Sequence, residues 1–386
     1  MSARIEPTLL RRINERRVLE LIQQRGPSSR AMVTRLSGLS APTVSKAVTS
    51  LMEVGLLEEI EASAGAFGRP AKLVKLAADK VCVLGVVIDV NRSWVVATGL
   101  DGRLDPDRMR TFETPDTYES LLRKVETEAQ ILKRILGSEI QGVGISVPGL
   151  KNQRIGEVVL SPNLRVLDGH RPGKDLSDRL GVECVVLQES HALCLGERMF
   201  GEARGRDDFA MLDVSSGLGL GVMSGGRLLT GNSGLAGELG HITVDLNGLR
   251  CGCGNRGCLE TLATDTALAR AISEKIGRTV DIHAAVSLIR SGEIDATAEL
   301  DRVVEYLAVG IAAVINIFNP TVLFVHGLLF TAADDLFSRV IERTRQRALT
   351  PALAECRIVQ ARGSKRQGAI AGILQHLTQS WAPTLS

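Results

Sequence analysis

The sequence of 386 residues lacks any apolar run of the length that a bilayer span requires. Its N-terminal stretch, MSARIEPTLLRRINERR, also lacks the apolar segment of a secretory signal. The sequence also lacks the signature of a disordered chain, which is poor in apolar residues, since 44% of its residues are hydrophobic. We therefore expect a soluble, cytoplasmic protein without a membrane partner, built from two or three compact units.

Charge is nearly balanced over the whole chain but unevenly distributed along it. Residues 1–76 carry twelve Lys and Arg against seven Asp and Glu, a net charge of +5, and the remainder carries −3. A basic N-terminal unit on a mildly acidic remainder fits contact with nucleic acid. An ordinary solvated surface would show the same asymmetry, so charge only supports that reading.

Three helices are predicted at the N-terminus. Apolar residues recur at helical spacing over Leu9–Gln24, and Arg25-Gly26-Pro27 ends this helix. Ser28 or Ser29 can cap a second helix, and Ser40 caps a third after a glycine-containing turn. The residues predicted to face the core are Met32, Val33 and Leu36 in the second helix and Val44, Ala47, Val48 and Leu51 in the third.

The other face of the third helix carries small polar and cationic side chains without an acid. Its members are Thr43, Ser45, Lys46, Thr49 and Ser50. Such a face suits a major groove lined with phosphates and base edges, where a carboxylate would be repelled. We predict DNA contacts from Thr43, Ser45, Lys46 and Thr49.

A β-hairpin is predicted after the third helix. Residues 55–60 read as a strand, 65–70 as a turn and 71–76 as a returning strand, with Arg69 near the tip as a further DNA contact. The sequence thus predicts a winged helix-turn-helix DNA-binding domain over residues 1–78. The alternative is a small helical domain that binds another protein.

Residues 79–386 have the sequence pattern of an α/β domain, in which predicted strands and helices alternate. A buried-strand run at 81–89 precedes a helix at Tyr118–Leu136, and strands at 208–214 and 218–223 repeat the theme. Two segments of the sequence begin with strands and continue with helices. This repetition indicates a duplicated α/β architecture with a cleft between two lobes.

A cluster of metal-ligating residues lies within this second domain. Cys251, Cys253 and Cys258 share one glycine-rich loop, and His241 lies ten residues before the first of them. Three thiolates and one imidazole make a closed tetrahedral site, so we predict a structural Zn²⁺ in a loop over residues 241–260. The alternative is three reduced thiols without a metal.

The same region resembles the ROK family (repressors, open reading frames and kinases). The resemblance is carried by Gly234-Leu-Ala-Gly-Glu-Leu-Gly-His241 and by Cys251-Gly-Cys-Gly-Asn-Arg-Gly-Cys-Leu-Glu-Thr261. With the N-terminal helix-turn-helix, it covers essentially the whole chain. It points to the repressor branch, which includes repressors of xylose, N-acetylglucosamine and glucose-uptake genes. The fold it implies is two actin/hexokinase-like lobes.

The resemblance also implies a sugar site. Glu238, His241 and Glu260 would face the sugar, Asn163 would join them from the other lobe, and Glu189 occupies the position of the family's catalytic Asp. Carboxylates, an amide and an imidazole supply the directional donors and acceptors that a polyol needs.

The residues at the positions where the family's kinases bind and transfer phosphate differ from the pattern of those kinases. Asn91 and Arg92 stand where those enzymes have a Gly-Gly turn that cradles phosphates, and Glu189 is one methylene longer than Asp. His326-Gly327-Leu328 replaces the usual paired glycines. We therefore predict that the protein is not an enzyme.

The function predicted is a sugar-responsive transcriptional repressor of carbohydrate uptake or catabolism genes. Its partners would be operator DNA and a sugar or sugar phosphate, and the chain would form a homodimer or a dimer of dimers. The alternatives are an ATP-dependent sugar kinase that carries a DNA-binding domain, and a repressor whose signal is a partner protein.

Overall fold

The computed structural model describes residues 7–61, 72–77, 81–137 and 139–380. Across these ranges the chain forms an N-terminal helical unit and two α/β lobes, each built on a five-stranded sheet. In the same ranges no helix combines the length and the apolar character that a membrane span needs. The element order is the one predicted for a winged helix-turn-helix followed by a duplicated α/β domain.

The N-terminal unit consists of three helices and an antiparallel strand pair. Its elements are α1 (Pro7–Arg25), α2 (Arg30–Ser37), α3 (Ala41–Glu53), β1 (Leu57–Glu61) and β2 (Lys72–Leu76). Two predicted caps are confirmed, because the hydroxyls of Ser29 and Ser40 accept hydrogen bonds from the N–H groups of Met32 and Thr43. The predicted tip of the wing, with Arg69, lies outside the described residues.

The buried face of α2 is narrower than predicted. Val33 and Ser37 are buried, whereas Met32 and Leu36 are 38% and 43% exposed. Residues four apart form a single row on a helix, and this helix has only eight residues, so one row fills its contact with its neighbours.

Gly38 sets the turn between α2 and α3, the two helices of the predicted helix-turn-helix. It ends α2 in the left-handed region, with φ of 68°, and its N–H donates to the carbonyl of Thr34. An added Cβ would meet only the Arg17 guanidinium at 3.9 Å, so Gly38→Ala costs conformational energy without a clash. We expect a loss of about 1 kcal/mol in the free energy of unfolding, measured by urea denaturation of the full-length protein.

Gly38→Asn is the matched control, because Asn enters the left-handed region more readily than Ala. It should retain more of the stability. Equal losses for the two variants would contradict the conformational explanation.

Lobe one carries the first five-stranded sheet. Its elements are β3 (Cys82–Val87), β4 (Arg92–Thr98), β5 (Met109–Glu113), α4 (Tyr118–Leu136), β6 (Ile140–Val147), β7 (Leu150–Asn152), β8 (Glu157–Leu160), α5 (Pro172–Leu180) and β9 (Cys184–Gln188). The strand order is β5-β4-β3-β6-β9, with β3, β6 and β9 parallel and the other pairs antiparallel. The carboxyl ends of β3, β6 and β9 therefore share one edge.

Lobe two repeats this topology after α6 (Glu189–Phe200), which connects the lobes. Its elements are β10 (Phe209–Asp213), β11 (Gly219–Ser224), β12 (Arg227–Leu228), α7 (Asp265–Ile276), α8 (Ile282–Arg290), α9 (Thr297–Phe318), β13 (Val322–His326), α10 (Leu336–Arg345), α11 (Thr350–Glu355) and β14 (Arg357–Gln360). The order β12-β11-β10-β13-β14 again joins three parallel strands to an antiparallel pair. The predicted duplication is confirmed.

The last helix, α12 (Lys365–Ser380), returns to lobe one and packs closely on its sheet. A Cβ on Gly144 of β6 would lie 1.8 Å from the Ala369 carbonyl oxygen, so the helix can approach the strand only at a glycine. Ile370 and Ile373 of α12 share one hydrophobic cluster with Val18 of α1. The N-terminal unit and lobe one are thus joined by a common core.

Candidate functional site

The carboxyl ends of the two sheets meet around a buried ammonium group. Asp89 follows β3, Glu189 follows β9 and Asp213 ends β10, and all three carboxylates contact Lys365 Nζ. The distances are 3.2 Å to Asp89 and 3.7 Å to Asp213, with Glu189 also hydrogen-bonded. Ser216 adds a second link between the lobes, because its hydroxyl donates to Asp89 at 3.0 Å.

The five residues predicted to bind sugar line a single cavity beside this cluster. They are Asn163, Glu189, Glu238, His241 and Glu260. Gly217 explains how they fit together, since a Cβ there would lie 3.1 Å from both the Asn163 amide nitrogen and the Glu260 carboxylate. The structure therefore brings together acceptors and donors from both lobes at one place, as a polyol requires.

Burial shifts the acid–base behaviour of two of these carboxyls. It raises the pKa of Glu189 to about 7, against the attraction of the Lys365 ammonium. Burial also raises the pKa of Glu238 to about 7, and the Gln188 amide, which donates to Glu238 at 3.4 Å, opposes this shift. Glu238 can therefore act as donor or acceptor towards a hydroxyl near neutral pH.

The predicted metal ligands also come together. His241, Cys251, Cys253 and Cys258 place one ligand atom each within 4.8 Å of the others. Cys251 Sγ lies 3.6 Å from His241 Nδ1, and the sulfurs of Cys253 and Cys258 lie 3.7 Å apart. Bonds of 2.0–2.3 Å in a tetrahedron separate ligand atoms by about 3.5–3.8 Å, so the donor set fits Zn²⁺.

The loop around this cluster is folded by backbone contacts as well. Gly257 has φ of 64°, and a Cβ there would lie 1.6 Å from the Asp245 carbonyl oxygen. Its carbonyl accepts the N–H of Val244, and Thr243 pairs with Cys258 as an isolated bridge. His241 and Cys258 are thereby brought to the same side of the loop.

The metal cluster and the cavity share residues. Glu260 Oε1 lies 2.9 Å from Cys251 Sγ and 3.6 Å from His241 Nδ1, while His241 Nε2 lies 3.9 Å from Glu238. With Nδ1 turned to the cysteines, Nε2 is left to face the cavity. A metal at the cluster would therefore fix the direction of a cavity-facing imidazole.

Two backbone N–H groups beside Gly327, where the family's kinases have paired glycines, are occupied by a carboxylate of the chain. Leu328 and Leu329 donate to Asp265 at 3.0 and 2.7 Å. His326 Nδ1 lies 2.9 Å from Asp213, so its ring is turned to the carboxylate cluster. Backbone N–H groups in such a turn are the ones that cradle phosphate when they are free.

Asn91 and Arg92 lie at the turn between β3 and β4, next to Asp89, and both are exposed. Lys365, Asp213 and Asp265 are not among the site residues predicted from the sequence. Asp213 offered a signal, because it ends a predicted strand in the half of the chain that repeats the first. Lys365 offered none, since its partners are 152 to 276 residues away.

The predicted DNA face of α3 is partly accessible. Ser45, Lys46 and Thr49 are exposed, and Thr43 is half-buried. Ser45 Oγ accepts from Arg30 Nη1 at 2.9 Å, whereas Lys46 makes no ion pair within the parts of the chain that the structure describes. Ser50, expected on this face, is instead buried and accepts from Arg11 at 2.6 Å.

Two lobes whose sheets share one topology, with polar groups gathered between them, place the fold in the actin/hexokinase-like class. The model of the ROK family matches residues 88–379. The chain is 30% identical over 323 residues to the xylose repressor of Bacillus subtilis, covering 82% of each chain. It is also 31% identical over 278 residues to a glucokinase of Thermotoga maritima, covering 68% of this chain and 87% of that one.

A crystal structure of a ROK family transcriptional regulator, a homologue of the Escherichia coli MLC protein, superposes with a TM-score of 0.79. The identity is 25%, and the match covers 96% of this chain and 98% of the other. The chain belongs to the ROK family.

Proposed function

We propose that the protein is a sugar-responsive transcriptional repressor of carbohydrate uptake or catabolism genes. The observation that carries this proposal is the gathering of Asn163, Glu189, Glu238, His241 and Glu260 in one cavity, within a chain that begins with a helix-turn-helix. Residues 1–78 would bind operator DNA, and residues 79–386 would bind a sugar or sugar phosphate. The likeness to the ROK family transcriptional regulator covers 96% of this chain, so it includes both parts, and it supports this assignment.

In the proposed mechanism, the sugar closes the cleft. Hydroxyls of the sugar would bridge Asn163 of lobe one and Glu238 and Glu260 of lobe two, which favours the closed arrangement. In a two-fold symmetric dimer, lobe rotation would change the separation of the two DNA-binding units and thereby their fit to paired half-sites. Linkage then requires that operator DNA weaken sugar binding by the same factor.

Zn²⁺ would be a structural cofactor in this proposal. The donor set of His241, Cys251, Cys253 and Cys258 leaves no open position for water on a tetrahedral ion. Its role would be to hold the loop that presents His241 and Glu260 to the sugar. The exposed Lys46 and Thr49 of α3 would contact the operator, and Arg69 would reach it from the wing.

Kinase activity is the second candidate function. The similarity to the Thermotoga maritima glucokinase favours it, and a pKa of about 7 for Glu189 suits a general base. The hydrogen bonds of Asp265 argue against kinase activity, because this carboxylate occupies the N–H groups of Leu328 and Leu329, which could otherwise bind phosphate. Lys365 also contacts the candidate base, Glu189, together with the carboxylates of Asp89 and Asp213.

One pair of assays distinguishes the two functions. Fluorescence anisotropy would follow the full-length protein on DNA from upstream of its own gene, titrated with xylose, glucose, N-acetylglucosamine and their phosphate esters. We expect one compound to change operator affinity about 5–150-fold, the usual range of allosteric coupling. A coupled ADP-release assay on the same sugars should stay at background, and turnover there would favour the kinase.

A further inference from the structure

Lys365 connects both lobes of the cleft to a single helix. It is the first residue of α12, its side chain is only 10% exposed, and it contacts Asp89 of lobe one and Asp213 of lobe two. It also contacts Glu189, which lines the proposed sugar cavity. Any ligand that engages Glu189, or that changes the separation of the lobes, therefore acts on the position of this ammonium group.

The other end of α12 contacts the first helix of the DNA-binding unit. Gln23 of α1 donates from Nε2 to Thr378 Oγ1 at 2.5 Å and to the Leu374 carbonyl oxygen at 3.4 Å. Arg16 of α1 donates to the Gln379 carbonyl oxygen at 3.2 Å. Gln23 and Thr378 are both buried, so this polar contact is shielded from water.

Between its ends α12 is packed so closely that it can move only with its surroundings. Gly368 faces α6, where a Cβ would lie 2.3 Å from the Ala192 carbonyl oxygen. Ile370 and Ile373 are fully buried in the cluster that also contains Val18 and Ile22 of α1. Sixteen residues of helix span about 24 Å, and the contacts of Lys365 and Thr378 lie near its two ends.

We propose that α12 couples the cleft to DNA binding, with Lys365 as the positioning residue at its cleft end and the Gln23–Thr378 contact at its DNA-binding end. This inference rests on the proposed function and adds the element that transmits the signal. A sugar hydroxyl bound to Glu189 competes with Lys365 for the carboxylate oxygens. The helix α12 then shifts together with the elements packed against it, and the displacement reaches α1 through Thr378.

The three carboxylates around Lys365 make the position of its ammonium group sensitive to a ligand bound in the cleft. Three carboxylates surround one ammonium in a buried site, where Coulomb interactions are several times stronger than in water. Loss of one partner therefore changes the preferred position of the ammonium among the other two. A surface ion pair would not respond in this way, because water and salt screen it.

The test measures coupling in the full-length protein, as the ratio of operator Kd with and without a saturating sugar. Xylose, glucose and N-acetylglucosamine serve as probes, together with their phosphate esters. Saturation removes any effect that a variant has on sugar affinity alone. We expect Lys365→Met, which keeps the aliphatic stem, and Thr378→Val, which keeps the shape, each to lower the ratio at least about fivefold.

Lys275→Met is the matched control. Lys275 pairs with Glu299 in lobe two and belongs to α7, so its loss removes an ion pair without touching α12. This variant should keep the wild-type ratio. Thr378→Val also decides the matter if Lys365→Met fails to fold, because it removes a hydroxyl and leaves the three carboxylates paired.

A wild-type ratio in either Lys365→Met or Thr378→Val overturns the coupling through α12, and so does an equal drop in Lys275→Met. These outcomes differ from failure of the proposed function, which would show as a ratio of one in the wild-type protein for every sugar tested. In that case sugar does not change operator affinity at all, so the proposed function and the proposed coupling through α12 are both rejected.

Discussion

Lys46→Glu should lower operator affinity on the order of 100-fold at moderate salt. Lys46 is exposed on α3 among Ser45 and Thr49, and it has no carboxylate partner in the described ranges. Its ammonium is therefore available to a phosphate or a base edge. Charge reversal replaces this attraction by repulsion, and in the proposed two-fold symmetric dimer the change would occur twice. Anisotropy titrations on operator DNA at several salt concentrations measure the loss.

Lys46→Gln provides the graded control, since it removes the charge without reversing it. We expect roughly a tenfold loss for this variant and a shallower dependence of affinity on salt, because one fewer phosphate is neutralised per chain. Sugar binding should stay unchanged in both variants, because α3 lies outside the cleft. Retained operator affinity in Lys46→Glu would remove α3 from the DNA interface.

Local patterns in the sequence predict the N-terminal unit well, because its helices begin and end on nearby residues. Ser29 and Ser40 cap α2 and α3 through hydrogen bonds three residues along the chain, so the sequence contains all the information needed. Exposure of Met32 and Leu36 depends on what packs against α2. Helical spacing alone indicates a face but does not determine how wide the neighbouring surface is.

The metal cluster and the sugar cavity were predictable for different reasons. Cys251, Cys253 and Cys258 lie within one loop, and their spacing identifies ligand chemistry directly. The residues predicted to bind sugar came from resemblance to a family, and the structure brings all of them to one cavity. Lys365 belongs to neither group, because it meets Asp89 and Glu189 only when the last helix folds back onto the first lobe.

The same carboxylates explain how a kinase-like fold can serve as a receptor. Asp265 holds two backbone N–H groups, and Lys365 is shared by three acids, so groups that could bind phosphate are used within the chain. Polar residues elsewhere in the cleft remain directed at the cavity. Under the proposed function, sugar recognition would depend on a part of the cleft separate from the groups that could bind phosphate, so one could be kept while the other is lost.

Cys253→Ser should abolish zinc binding and, with it, the response of operator binding to sugar. A serine hydroxyl is a much poorer zinc ligand than a thiolate, and the remaining three ligands cannot close the tetrahedron. His241 and Glu260, which the loop presents to the cavity, then lose their fixed orientation. DNA binding without sugar should persist, because α3 packs on α1, α2 and β1 of the N-terminal unit.

Metal analysis after dialysis against buffer tests this expectation, with about one zinc per chain for the wild type and almost none for the variant. Cys356→Ser is the matched control, because Cys356 is a half-buried free thiol outside the metal cluster. It should keep both the zinc and the sugar response. Full zinc occupancy with a normal response in Cys253→Ser would mean that the four residues do not form the site. Loss of zinc with a normal response would mean that the metal does not orient the sugar ligands, and that the loop is held by its own backbone contacts.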